Sequence, residues 1–136
     1  MRTPLRLFVA LLAAMVPITF VGPAHAVTHQ AWSLSLSVGY VSNGDFTSNL
    51  ETGYWHISGT IRDRYAGDDC TRVILYEEQD FGRMAVVKSF KVCGGGSYLM
   101  NYDDYALGDR VIVKLCQDYW GGCRSTTQRT LYLVPA

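Results

Sequence analysis

Between Trp32 and Tyr40, apolar and small residues alternate without a break: Trp32, Leu34, Leu36, Val38 and Tyr40 against Ser33, Ser35, Ser37 and Gly39. A period of two marks a strand with one face on a core and the other on water, so the pattern predicts one strand over 32–40. The next stretch, 41–53 (VSNGDFTSNLETG), is dense in turn formers and predicts a loop. Alternation returns with Trp55, Ile57 and Ile61 against His56, Ser58, Thr60 and Arg62. Further strands are expected at 70–77 with Val73 and Leu75 inward, at 84–92, at 97–102 after Gly94-Gly95-Gly96, at 110–117 with Val111, Val113 and Leu115 inward, and at about 125–134. No segment sustains a helical period.

Short strands with frequent turn signals between them predict an all-β domain of the sandwich or barrel class. The expected architecture is an immunoglobulin-like Greek-key sandwich of about seven strands, with a βγ-crystallin-like sandwich or a small barrel as the alternatives.

The first 26 residues follow another rule. Arg2 and Arg6 precede an apolar run from Leu7 to Val16, then Pro17, and Ala24-His25-Ala26 supplies a small-x-small cleavage site. This is the layout of a cleavable secretory signal, which leaves a single domain over 27–136 and predicts a secreted, extracellular product. A membrane span needs about 20 apolar residues, and Pro17, Gly22 and Pro23 interrupt this run, so no stable membrane insertion is expected after cleavage. Losing 1–26 removes Arg2 and Arg6 but no acid, leaving 10 basic against 12 acidic side chains and a net charge of −2. Nucleic-acid binding calls for a basic excess, and membrane-active toxins draw on attraction to anionic lipids; neither fits.

Four cysteines follow the signal: Cys70, Cys93, Cys116 and Cys123. An even number in an exported chain reads as a disulfide framework. Cys116 and Cys123 enclose only QDYWGG, which suits the closed end of a hairpin and leaves Cys70 with Cys93. Zinc sites use close pairs such as CxxC with fixed partners, and the chain has none. By strand parity Cys70 goes with Arg72, Cys93 with Lys91 and Cys116 with Lys114, which puts all three on outward faces.

Candidate chemistry is sparse. His56 points outward on its strand, His29 lies near the start of the domain, and no GxSxG or HExxH pattern occurs. Carboxylates gather at Asp68-Asp69, Glu77-Glu78-Asp80 and Asp103-Asp104, residue types that could run glycoside hydrolysis in pairs but that also populate ordinary turns. A secreted hydrolase using His56 or a carboxylate pair is thus one alternative. No cofactor is expected from these residues.

Two resemblances add to this. Tyr76 to Arg83 (YEEQDFGR) resembles the aromatic and glycine signature of βγ-crystallin domains, and Asn43 to Ser48 (NGDFTS) resembles their calcium loop; the resemblance implies calcium as a cofactor. More broadly, Ile57 to Arg124, with ISGTIRD, CTRVILY, VCGGGS and VIVKLCQDYWGGC, resembles small secreted actinobacterial proteins, which implies export and disulfides but no activity.

Nine Tyr and three Trp remain to be explained. Aromatic side chains give large contact area at low entropic cost. Tyr119 and Trp120 lie inside the Cys116–Cys123 loop, where a staple would order them before any partner arrives; Tyr102 and Tyr105 are placed at a turn before the sixth strand. The function expected is a secreted non-catalytic domain that binds an extracellular protein or glycan through Tyr119, Trp120, Tyr102 and Tyr105, an extracellular protease inhibitor being the other alternative.

Overall fold

The computed structural model describes residues 27–133; residues 1–26, where the export signal is expected, and residues 134–136 lie outside them. Eight strands form two four-stranded antiparallel sheets packed as a sandwich, with no closed barrel. In chain order they are β1 (Val27–Ser35), β2 (Gly39–Asn49), β3 (Tyr54–Asp63), β4 (Cys70–Glu78), β5 (Met84–Val92), β6 (Ser97–Tyr105), β7 (Arg110–Tyr119) and β8 (Gly122–Tyr132). One sheet has the order β1-β2-β3-β6 and the other β5-β4-β7-β8. No helix among the described residues is long and apolar enough to cross a membrane.

The alternation read from the sequence is the core. Trp55, Ile57 and Ile61 from β3 meet Val73 and Leu75 from β4 and Val111, Val113 and Leu115 from β7, all fully buried. Phe46 and Val41 of β2 and Met100 of β6 complete the layer. Trp32 lies flat in a slot made by glycine: a Cβ on Gly44 would stand 2.5 Å from its ring, so only glycine fits beneath it.

Two expectations fail in the first sheet. The alternating run 32–40 is a hairpin, since β1 stops at Ser35, Leu36 N donates to Gly39 O (2.8 Å), and β2 begins at Gly39. Reversal shifts the parity, so Tyr40 faces outward while Val41 enters the core. The predicted loop 41–53 is largely β2. Its turn formers serve a bulge instead: the register of β2 on β3 slips between Ser42 and Asp45, and Asn43 takes φ 51°. The segment resembling a calcium loop therefore lies inside a strand, with Phe46 in the core. Among the described residues no three His, Cys, Asp or Glu side chains cluster to hold a metal.

β6 runs on to Tyr105, so Tyr102 and Tyr105 are strand residues rather than turn residues. His29 lies within β1, paired with Thr47 of β2. Phe81, the aromatic of the crystallin-like segment, is 98% exposed at φ 64°.

Both disulfides pair as spacing predicted, Cys70 with Cys93 and Cys116 with Cys123. Cys116 does sit across from Arg72 on the outward face. Cys70 and Cys116 are nonetheless buried.

Candidate functional site

Strand directions divide the loops between two ends. The far end carries residues 36–38, 64–69, 93–96 and 120–121. The near end carries 50–53, 79–83 and 106–109, together with Val27 and Leu133, where the described chain enters and leaves. Both disulfides lie toward the far end.

The Cys116–Cys123 hairpin closes through two residues, Trp120 and Gly121, with Tyr119 paired to Gly122. Their φ values are 52° and 80°. Positive φ at both central positions defines a type I′ turn, the two-residue turn whose twist matches the strands and which favours Asn-Gly. A tryptophan there pays roughly 1–2 kcal/mol for left-handed backbone, and its side chain gains no burial in exchange, being 88% exposed. It does not fold back to plug the sandwich. Tyr119 supports it from behind: the two rings meet edge to face at 6.0 Å, and the Arg124 guanidinium lies 4.2 Å from the centre of the Tyr119 ring.

Beside Trp120 opens a cleft of about 380 Å³ lined also by Asp68, Lys91, Asp118 and Gly121. Asp118 sits at its buried side. Register places Asp118 opposite Cys70 and Arg72 opposite both Lys91 and Cys116, which gathers one carboxylate and two cations on the outer face of the second sheet. Asp118 Oδ2 accepts from Arg72 Nη2 (2.7 Å) and lies 2.9 Å from Lys91 Nζ. Burial by itself raises the Asp118 pKa, but hydrogen bonds from Lys91 and Arg72 outweigh it and hold the carboxyl below its ordinary value. Asp118 Oδ1 is buried with no hydrogen-bond partner among the described residues, a rarity in folded proteins. Gln117 Nε2 donates to Asp69 Oδ2 (2.6 Å), tying the 64–69 loop to β7.

Tyr102 and Tyr105 lie at the near end and on opposite faces of β6. Tyr102 packs on Trp55 (5.6 Å) and donates to Asp104 Oδ2 (2.9 Å); burial and that carboxylate push its pKa up to about 12. Tyr105 faces outward against Tyr54 at 5.5 Å. The four aromatic candidates thus form two separate groups.

Of the remaining candidates, two carboxylates brace the framework. Glu77 is buried and accepts from Trp55 Nε1 (3.3 Å) and Leu107 N (3.2 Å); Glu78 meets Arg110 at 3.4 Å. His56 pairs across strands with Thr47 and Asp103, but among the described residues its side chain forms no hydrogen bond or ion pair with a Ser, Asp or Glu, and it lines none of the four clefts that open on them. A general base must lie within hydrogen-bond reach of what it activates, and that arrangement is not assembled at His56. Sequence reading missed Asp118, Arg72 and Lys91, which are 46 and 19 residues apart in the chain and meet only through register.

No protein-family model matches the chain, and no curated protein or solved structure matches it significantly, so the resemblances noted in its sequence have no named family behind them.

Proposed function

We propose that this chain is a secreted, non-catalytic binding domain and that its far end recognises a glycan, with Trp120 as the stacking platform. One observation carries the reading: a bulky aromatic, almost wholly exposed, occupies a left-handed turn position that favours Asn. Strain of this kind persists where the surroundings impose it and function uses it; here a two-residue turn within a disulfide-closed hairpin imposes it. Sugar rings present apolar C–H faces that fit an indole, and hydroxyls that need both donors and acceptors. Lys91 and Asp68 offer one of each in the adjoining cleft. A loop already ordered loses little entropy on binding. Tyr119 keeps the ring in place; Tyr102 and Tyr105 lie at the opposite end and form no part of this site.

We also read the sandwich as immunoglobulin-like. β3 pairs with β6 and β4 with β7, each enclosing two intervening strands, the skip that relates strands B to E and C to F in that fold. β1 is then an additional N-terminal strand.

The test is to screen the oxidised domain against a glycan array and titrate the best binder. Trp120→Ala is expected to weaken binding at least about tenfold, in keeping with the loss of an aromatic anchor, and Tyr119→Ala by less. Wild-type affinity in the Trp120→Ala/Tyr119→Ala double variant would refute the site.

A further inference from the structure

A second cleft, also about 380 Å³, opens at the same end on the outer side of the first sheet. Its polar lining is Ser33, Ser35, Tyr40, Ser42, Asn43 and Arg64. One bulge in β2 disturbs both of its ladders here. From Val41 to Gly44 β2 takes three steps against two of β1 (Leu34 to Trp32), and from Ser42 to Asp45 it takes three against two of β3 (Thr60 to Ser58). The irregular backbone turns side chains with hydrogen-bonding capacity toward the cleft instead of continuing a flat sheet.

Arg64 holds its place by three contacts. Its backbone N donates to Val38 O (2.8 Å), Nη2 donates to Ser35 Oγ (3.2 Å), and the guanidinium carbon stands 4.9 Å from the centre of the Tyr40 ring. Stacked on tyrosine, the fork is oriented before any ligand arrives. No carboxylate lines this cleft, and none among the described residues pairs with Arg64. Among the described residues its charge is therefore unneutralised, with hydroxyl and amide groups around it. A planar fork with spare donors matches the two oxygens of a carboxylate or a phosphate ester.

One segment joins the two clefts. Arg64 opens the 64–69 loop, and Asp68 on the same loop lines the cleft beside Trp120. They are four positions apart, so their Cα atoms are at most about 14 Å apart. The loop is braced where Asp69 accepts from Gln117, and the 93–96 turn runs close beside it, since a Cβ added to Gly95 would stand 3.8 Å from Ala66 N.

We propose that Arg64 and its hydroxyl neighbours form an oxyanion subsite, and that the ligand of this end is an acidic polymer. A carboxylate or phosphate ester rests on Arg64 while a sugar ring further along the same polymer stacks on Trp120. This deepens the glycan reading and rests on it.

The experiment titrates the oxidised domain with a hexuronate oligosaccharide, a phosphodiester-linked hexose oligomer and a neutral gluco-oligosaccharide of matching length, using wild type, Arg64→Ala, Arg64→Lys and Trp120→Ala. Thermal unfolding confirms that each variant is folded, and chemical-shift changes at the Arg64 side chain and Tyr40 ring locate the anion. At least one acidic polymer is expected to bind about tenfold more tightly than the neutral one, in line with a charge-assisted pair. Arg64→Ala should bring the two within about twofold, and Arg64→Lys should fall between because it keeps charge without the fork. The tighter acidic partner identifies the source of the oxyanion. Equal affinity for acidic and neutral polymers, or a preference that survives Arg64→Ala, would overturn the subsite and leave the Trp120 reading standing. A preference lost in Arg64→Ala but indifferent to Trp120→Ala would instead support the subsite and overturn the stacking platform.

Discussion

Both ends of the sandwich bury carboxylates and expose an aromatic turn, but they secure these features differently. At the far end Asp63 accepts from neutral donors, Thr71 Oγ1 and Gly95 N, while Asp118 is matched by two cations, Arg72 and Lys91, and the surrounding loops are tied by both disulfides. At the near end Glu77 meets only neutral donors, Trp55 Nε1 and Leu107 N, and the closure is made by packing. Phe81 at φ 64° is as exposed and as strained as Trp120. Yet it stands on a turn with no staple and lines no main cleft. An exposed aromatic on strained backbone is therefore not sufficient to mark a site. What distinguishes the far end is the coincidence of that feature with covalent bracing, a cleft on each sheet and a loop joining them.

This contrast can be broken at several points. The largest effect is expected at the near end, where Trp55→Ala removes a fully buried indole and a donor to Glu77. It should cost about 3–5 kcal/mol in denaturant unfolding, and a loss below about 1 kcal/mol would show that packing does not close that end. Next comes Cys116→Ala/Cys123→Ala at the far end. Opening a loop of this length should cost about 2.5 kcal/mol, with the signal of greater mobility confined to 119–122 in amide exchange; a global rise in exchange would contradict the division.

Asp118→Asn should cost about 1–3 kcal/mol, because two cations lose their shared partner while remaining partly open to water. The two carboxylates also titrate in opposite senses. Asp118, lowered, contributes stability that is present above its unfolded value near pH 4 and is lost as pH falls through the folded one. Glu77 is raised, burial outweighing its hydrogen bonds, so its contribution is full below about pH 4 and declines as pH rises through its folded value. Urea midpoints of Glu77→Gln across pH 3–7 should lack that decline, whereas Asp118→Asn should keep it and lose the acid-side fall. The smallest effect has the other sign. Trp120→Asn relieves left-handed strain and should stabilise the domain by roughly 1 kcal/mol while abolishing glycan binding. A destabilised Trp120→Asn would mean that the indole is held by packing.

Much of the framework was legible along the chain. Inward sets such as Trp55, Ile57 and Ile61 or Val111, Val113 and Leu115 are buried as alternation implied, because a half-buried strand must alternate wherever it ends up. The short Cys116–Cys123 spacing pointed to its own hairpin, and Tyr119-Trp120 stood out as an aromatic pair inside it. The turn at 36–38 was not visible. Apolar and small residues go on alternating through it, so the pattern carries no trace of the reversal that sends Tyr40 outward to Arg64.

Local pattern, then, settles which face of a strand is apolar where alternation is clear, since the two-residue repeat of an extended backbone is a property of neighbours, but it missed the turn at 36–38 and the strand over 39–49. It also settles the short-range disulfide, for which loop length is a local quantity. Which strands lie side by side, and at which end a loop emerges, depends on register between segments far apart in the chain. That pairing placed Asp118 between Arg72 and Lys91, set Trp120 above a cleft, and carried Tyr102 and Tyr105 to the opposite end. Contacts between remote segments decide these positions, and a single strand's periodicity contains no information about its partner.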